Sequence, residues 1–361
     1  MLLVQISPMR QVVPYLTVLL FTAAPAAGEA TLYQAPGSNS RELVIYSTLD
    51  NHLALPLIEA FQAERPDVAI RYEDMLANEI ADRVIRETDA GERAADFLFS
   101  SGMDLQLKLA NDGYGQSVAA KQATNWPTWA KWQETAFALT LEPAVLVYHK
   151  PSFPDGPPQT RLQLLKWLNG KPDDGNARIG TYDIRKSSVG YLYLARDAEH
   201  FPDIWSVLRA MKRAGLQTFP TSQDIIERVA DGRLVLGYNI LGSYAAEQAR
   251  LAPGLGMVLP KDYTVVIPRV AMVPRAAASP DLGLAFLDFL MSAKGQTLLS
   301  ERLRLPSVSL GISGAGSGAA MQAALGDQLR PIKVSPGVLV YLDQAKRQRF
   351  LRMWDRALAA E

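Results

Sequence analysis

Residues 42–68 read ELVIYSTLDNHLALPLIEAFQAERPDV. Leu43 to Tyr46 are β-branched or bulky apolar residues that run into the polar Ser47-Thr48, and from Asn51 onward Leu53, Leu57, Ile58 and Phe61 recur at helical spacing. The spacing predicts a strand followed at once by a helix. The unit then repeats: AIRYEDM at 69–75 reads as a second strand and LANEIADRVIRETDAG at 76–91 as a second helix closed by Gly91. AADFLFSSGMDLQ at 94–106 places a third strand over 97–99, ahead of Ser100-Ser101-Gly102 and a helical pattern through Met103, Leu105 and Leu109. Strand alternating with helix makes a largely parallel, twisted sheet covered on both faces, an α/β fold.

In such sheets the ligand crevice lies beyond the carboxyl ends of the strands. Ser47 and Thr48 after the first strand and Ser100 and Ser101 after the third are therefore expected to face one crevice. A helix start leaves backbone N–H groups unpaired, so Ser100-Ser101-Gly102 either caps a helix or holds an anion.

Further along, FALTLEPAVLVYHK at 137–150 is too long for one strand and is interrupted by Glu142-Pro143; YTVVIPRVAMVPRAAA at 263–278 is a second such run with an internal Pro268-Arg269. Proline inside a strand run marks a bend or an exit. Between them lies a second alternating region: helix at 161–170, strand at 177–183, helices in 184–198 and 201–215, and a strand in LVLGYNILGSYAAEQA at 234–249. The expected organisation is a first lobe of 42–141 plus 264–330, a second lobe of 142–263, two hinge-crossing strands between them, and a C-terminal helical segment at 331–361. The basic run 346–352 in that segment reads as a solvated helix face.

The chain has 361 residues with 48% hydrophobic and 20% charged, enough for two domains of ordinary globular composition. Lys plus Arg and Asp plus Glu number 37 each, so no global field draws the protein to nucleic acid. Arg10 precedes the apolar run VVPYLTVLLFTAA, and Ala24-Pro25-Ala26 supplies small residues at a cleavage position. That pattern predicts a signal peptide over 1–26, with Met9 as an alternative start, then a flexible lead at 27–41 and export to the periplasm. The apolar run falls short of the roughly 20 residues that span a bilayer.

Cysteine is absent, which excludes thiol catalysis and cysteine-ligated metals, and the three histidines His52, His149 and His200 share no metal-ligand spacing. GISGAGSG at 311–318 fits neither a nucleophile elbow nor a phosphate loop. A secreted hydrolase thus has no catalytic constellation in its favour, and neither an enzyme, a cofactor nor a metal is expected. TYDIRKSSVGYLY at 181–193 is the stronger grouping: Arg185, Ser187 and Ser188 open a helix with the donors that bind carboxylate or phosphate. Tyr238 and Asn239 end another strand with groups suited to ligand hydroxyls, and Asp50, Glu142 and Arg269 are further candidates at the crevice.

The segments LVIYSTLDNHLALPLIEAFQ, ADFLFSSGMDLQ, LTLEPAVLVYHK and SSVGYLY resemble the type 2 periplasmic solute-binding proteins of ABC importers, over about 42–359. Within them the chain is most similar to the branch of ferric-ion-binding proteins, sugar-phosphate binders and the phosphoglycerate transport regulatory protein. The resemblance implies a two-lobed periplasmic-binding-protein type 2 fold that closes about its hinge on a small solute and presents it to a membrane permease. The family's iron binders use a His, a Glu and a Tyr-Tyr pair at positions that here hold Asp50, Ser101 and, approximately, Ile240-Leu241. A hard ferric ion wants anionic oxygen ligands, which two aliphatic residues do not supply. The expected ligand site is Ser100, Ser101 and Gly102 on one wall, with Arg185, Ser187 and Ser188 closing over it. Its expected solute is a small organic anion, phosphorylated or carboxylated, carried by a monomer to an ABC permease. The alternatives are a ferric or ferric-chelate carrier and a ligand sensor for a membrane histidine kinase.

Overall fold

The computed structural model describes residues 30–38, 40–172, 178–309, 311–314 and 316–359, so the expected signal peptide lies outside the described residues. The first sheet contains β1 (Ala30–Tyr33), β2 (Arg41–Ser47), β3 (Val68–Asp74), β4 (Phe97–Ser100), β5 (Lys131–Trp132), β6 (Ala136–Ala138) and β13 (Val270–Met272), in the order β1-β3-β2-β4-β13-β6-β5. The second runs β14-β12-β7-β10-β8-β9, made of β7 (Glu142–His149), β8 (Ile179–Tyr182), β9 (Leu216–Phe219), β10 (Leu236–Leu241), β12 (Thr264–Ile267) and β14 (Leu329–Pro331), with β11 (Leu255–Val258) also paired to β7. The fold is thus α/β and two-lobed. Strand β2 is parallel to both β3 and β4, as alternation with helices demands.

Helices cover both sheets. On the first lie α1 (Asn51–Glu64), α2 (Ala77–Asp89), α3 (Met103–Asn111), α9 (Pro280–Met291) and α10 (Ala293–Thr297); with the second go α4 (Arg161–Asn169), α5 (Ser188–His200), α6 (Ile204–Arg213), α7 (Ser222–Ala230), α8 (Gly242–Leu251), α11 (Gly318–Leu325) and α12 (Gln344–Ala359). Helix α1 buries Leu57, Ile58 and Phe61, and Phe61 meets Phe286 of α9 edge-on at 5.0 Å between centroids. The same apolar spacing that makes the segment helical therefore selects the face it buries.

The chain crosses between sheets just before Glu142-Pro143 and again at Pro268-Arg269. Pro143 pairs with Val266 and Glu142 with Ile267 in the second sheet, while Val270 pairs with Ala138 in the first. Strand β12 therefore belongs to the second sheet, as does β14 beside it, although the sequence reading puts 264–330 wholly in the first lobe. The return crossing falls at Pro268-Arg269 because proline has no N–H to continue the β12 ladder.

Three more expectations change. The lead at 27–41 is not wholly flexible: β1 pairs antiparallel with β3 and covers its edge, and Gln62 donates to the carbonyls of Tyr33 and Gln34. The long strand expected in 234–249 stops at Leu241, where Gly242 opens α8. The C-terminal helical segment is broken: a turn at Pro336–Leu342 packs on α3 of the first lobe, and only from Gln344 does α12 run, packed on α6 of the second. Trp354 is buried among second-lobe residues, and Phe350 meets Tyr191 and Trp205 edge-on. The C-terminal segment thereby spans both lobes.

Candidate functional site

A cleft of about 370 Å³ opens where helix starts from both lobes meet. From the first lobe come Thr48 after β2, Asp50 before α1, Asp74 at the end of β3, Ala77 and Asn78 opening α2, and Ser101 before α3. From the second come Tyr182 ending β8, Lys186 to Val189 at the start of α5, Thr221 to Gln223 at the start of α7, and Leu241 and Tyr244 at the start of α8. Each helix start carries unpaired N–H groups and the positive end of its dipole.

Two glycines permit this convergence. A Cβ on Gly102 would lie 2.4 Å from Ala77 Cβ and 3.3 Å from Ser188 Oγ, so only glycine lets α3 begin against α2 and beneath the facing lobe. A Cβ on Gly190 would come within 2.3 Å of Tyr182 Cβ, so the first turn of α5 rests on the end of β8 for the same reason.

The first-lobe wall is oriented by a buried chain of polar groups. Arg269 and Glu142, both fully buried, form an ion pair at 3.0 Å, and Ser243 donates to Glu142 at 2.7 Å. Burial works against the charge on Arg269, yet Glu142 together with Tyr244 and Tyr72 outweighs it and raises the guanidinium's pKa. Arg269 Nη1 donates to Thr48 Oγ1 at 2.7 Å, and the backbone N–H of Ser101 donates to the same oxygen at 3.0 Å. Both acceptor sites of Thr48 are then occupied, so its single O–H donates to Ser101 Oγ, 3.1 Å away. The Ser101 hydroxyl, accepting from Thr48, keeps its own proton for the cleft.

Two carboxylates also line the cleft. Asp50 accepts from Tyr244 Oη at 2.8 Å, and Asp74 accepts from the Asn51 N–H at 3.3 Å. Burial, then the neighbouring Asp50, pushes the Asp74 carboxyl up to about 6. Burial likewise pushes the Tyr244 phenol well above its ordinary value, so it remains a donor. The lining cation is Lys186, whose side chain is 71% exposed and stands 3.9 Å from Asp183.

Of the residues picked out in the sequence, the structure brings Thr48, Asp50, Ser101, Ser187 and Ser188 together on the cleft, with Gly102 packed behind them. Glu142 and Arg269 lie beneath its floor and reach it through Thr48. Ser47 and Ser100 turn inward: Ser47 donates to the Phe99 carbonyl and accepts from Leu49, and Ser100 accepts from the Gly102 N–H.

Three expected residues are elsewhere. Arg185 precedes α5 in the turn closed by Ser187 N–H to Asp183, and it points out to pair with Asp355 of α12. Tyr238 and Asn239 lie inside the second lobe, both donating to the buried Asp197 at 2.6 Å. They turn inward because the β10–β7 register shifts between Gly237 and Ile240, with Asn239 at φ 59°, and the strand continues to Leu241.

The cleft also uses residues that the sequence reading passes over. Asp74 ends a strand just as Ser47 does, and the same strand-end rule applies to it. Thr221-Ser222 announces a helix start, and Thr221 does accept from the Asp224 N–H at 3.2 Å. Tyr244, which the sequence already sets just beyond β10 as a phenol suited to a polar ligand, reaches the cleft because the strand ends at Leu241. Among the described residues, no group of three or more His, Asp or Glu side chains is placed to hold a metal ion.

Two lobes joined by crossing strands, with helix starts lining the gap, define a solute-binding protein of the periplasmic type. Residues 56–316 match the family of bacterial extracellular solute-binding proteins, and the chain belongs to that family. A solved structure of the substrate binding protein of the ABC transporter from Agrobacterium tumefaciens is similar at 52% identity and TM-score 0.89, covering 93% of this chain and 100% of that one. The same fold, at lower identity, is found in the periplasmic binding protein AfuA from Actinobacillus pleuropneumoniae with fructose-6-phosphate bound (16%, TM-score 0.72, covering 89% of this chain and 100% of that one). It also occurs in apo ferric ion-binding protein A from Pasteurella haemolytica (18%, TM-score 0.68, covering 88% and 98%). No curated protein sequence is significantly similar to the chain.

Proposed function

We propose that the protein, exported by the signal segment at 1–26, captures a small hydroxylated organic anion, phosphorylated or carboxylated, and hands it to the permease of an ABC importer. The observation that carries this reading is the Ser101 hydroxyl: Thr48 donates to it, so its own proton is free to meet a ligand in the cleft. Around it lie the starts of α3, α5 and α7, whose N–H groups and dipoles favour negative charge. Asp50 and Asp74, which line the same cleft, repel an anion but accept from hydroxyls. The arrangement therefore suits a solute that carries hydroxyls beside its acidic group.

Transport follows from closure. A ligand touching Ser101 and Ser188 at once binds only when the lobes are together, and that differential affinity shifts an open population toward the closed form. Among the described residues no serine on the cleft is hydrogen-bonded to a carboxylate or an imidazole, so capture without turnover is the expected chemistry. The 52% identical Agrobacterium tumefaciens protein, a substrate binding protein of an ABC transporter, supports the transport role. AfuA supports the ligand class, since the shared fold holds fructose-6-phosphate there.

A thermal-shift screen tests the proposal with phosphosugars, phosphoglycerates, hydroxylated di- and tricarboxylates, neutral sugars, ferric chloride and ferric citrate. A ligand at 100 times its dissociation constant stabilises the fold by about 2.7 kcal/mol. Selective stabilisation by a phosphorylated or carboxylated polyol is expected. Stabilisation by a neutral sugar, or by ferric ion without an organic anion and with a charge-transfer colour, overturns the reading.

A further inference from the structure

Helices α6 and α12 pack against one another on the second lobe, and together they carry eight basic side chains and one acidic one. This concentration stands out in a chain whose formal net charge is zero. On α12 the exposed Lys346, Arg349, Arg352 and Arg356 follow spacings of three, three and four, which places them along one side of the helix over about 15 Å. Trp354 faces away from them, buried against the second lobe. None of the four basic residues forms an ion pair among the described residues. The acid on the helix, Asp355, is engaged by Arg185, and Asp343 before it caps the Lys346 N–H. The exposed Lys212 at the end of α6 extends the basic surface; Asp203, at the start of that helix, is the exposed acid on its other end.

We propose that this face docks the protein on an anionic phospholipid surface. Concentrating like charge costs self-repulsion unless a partner of opposite sign relieves it. Guanidinium groups, which make up three of the four, match phosphate oxygens in a bidentate fashion. A lipid surface fits better than a protein because the face has no anchor: none of the large exposed apolar residues lies on α6 or α12, whereas protein interfaces centre on buried aromatic or aliphatic side chains. With Trp354 buried in the lobe and the half-exposed Met353 the one large apolar side chain on the basic side, α12 has little to insert, so the attachment is peripheral and electrostatic. The Arg185–Asp355 pair joins α12 to the turn that carries Lys186 and Ser187 to the cleft, so docking holds the cleft near the membrane where the solute is delivered. This inference does not depend on which solute binds.

Co-sedimentation of the purified protein with vesicles is the test. Binding is expected to phosphatidylcholine vesicles containing phosphatidylglycerol, not to phosphatidylcholine alone, and is expected to disappear as salt shortens the Debye length. R349E/R352E/R356E should weaken partitioning on the order of a hundredfold or more while unfolding at the wild-type temperature. R349Q/R352Q/R356Q, which removes charge without reversing it, should fall between. Equal binding to neutral vesicles, no binding to anionic ones at low salt, or unchanged binding by the charge-reversed protein each overturns the proposal. Binding that appears only in neutral vesicles carrying the cognate permease, and is lost in the same variants, overturns it in favour of an acidic protein surface.

Discussion

Tyr244 of the second lobe donates its hydroxyl proton to Asp50 of the first across 2.8 Å, and the same oxygen lies 3.4 Å from the Asp50 N–H. The bond joins the two lobes across the cleft. A hydrogen bond to a charged group contributes about 1.5–3 kcal/mol, so Tyr244→Phe should cost the closed form that much. The expected readout is a larger radius of gyration in solution scattering without ligand and a weaker ligand affinity, with the thermal midpoint little changed. An unaltered scattering curve and affinity would show that the bond does not bias closure.

The Arg269–Glu142 pair joins the hinge to the cleft, because Arg269 also fixes Thr48. Removing one partner of a buried pair leaves an uncompensated charge, so Glu142→Gln should destabilise the fold by about 3–5 kcal/mol in chemical denaturation. Replacing both, as Glu142→Leu with Arg269→Met, should restore most of that stability. Ligand affinity should nevertheless stay low in the double variant, since Thr48 loses the donor that orients Ser101. Wild-type affinity in the double variant would separate the hinge pair from the cleft.

The fold was legible where local and tertiary demands coincide. The apolar runs of 43–46 and 97–99 end in hydroxyls because the strands end there, and Pro268 marks the return crossing because proline cannot extend a ladder, while Pro143 sits at the start of β7 just after the first crossing. The site was legible only in part. Tyr238 and Asn239 look like a strand end, but a register shift three residues short of the true end turns them inward, and no local signal marks it. Asp74 is hidden in a charged strand tail. Arg185 meets a partner 170 residues away, on a helix that the sequence pattern shows only as solvated.

Arg185→Ala separates these readings directly. The Arg185 and Asp355 side chains are each about half exposed, at 47% and 50%, and a surface pair of this kind contributes about 0–1 kcal/mol. Ligand affinity should therefore remain within about twofold of wild type, and the thermal midpoint should barely move. Loss of ligand binding with the fold intact would return Arg185 to the site and imply that the lobes close further than they do here.

Asp74 should make the protein's stability depend on pH in an unusual direction for a carboxylate. Its folded pKa is raised to about 6, by burial first and by Asp50 second, above the value it has in the unfolded chain. The folded state then binds the proton more tightly, so ionisation of Asp74 costs stability at neutral pH, and the cost is relieved as pH falls through 6 toward the unfolded value. Asp74→Asn keeps an oxygen for the Asn51 N–H and should raise the thermal midpoint at pH 7 by more than at pH 4. An equal effect at both pH values would mean that the carboxyl titrates normally. The same substitution should weaken binding of polyol-bearing ligands, which lose an ionised acceptor.

The Ser101 hydroxyl carries the ligand assignment, and its environment allows a test in which affinity is read apart from stability. Thr48 is saturated by Arg269, by the Ser101 N–H and by its own donation to Ser101 Oγ, so the Ser101 O–H has no acceptor within the wall. Ser101→Ala removes that donor and leaves the Thr48 proton without its partner, yet keeps the backbone N–H that Thr48 accepts. If the donor meets a phosphate or carboxylate oxygen, the charge-assisted bond is worth about 1.5–3 kcal/mol, so affinity should fall roughly 10- to 150-fold by calorimetry. Thr48→Val should do more harm, since it also strips Arg269 Nη1 and the Ser101 N–H of their acceptor and destabilises the unliganded fold. A neutral sugar accepted equally by wild type and Ser101→Ala would show that the donor faces no anion, and the acidic group of the proposed solute would then have no place in the cleft.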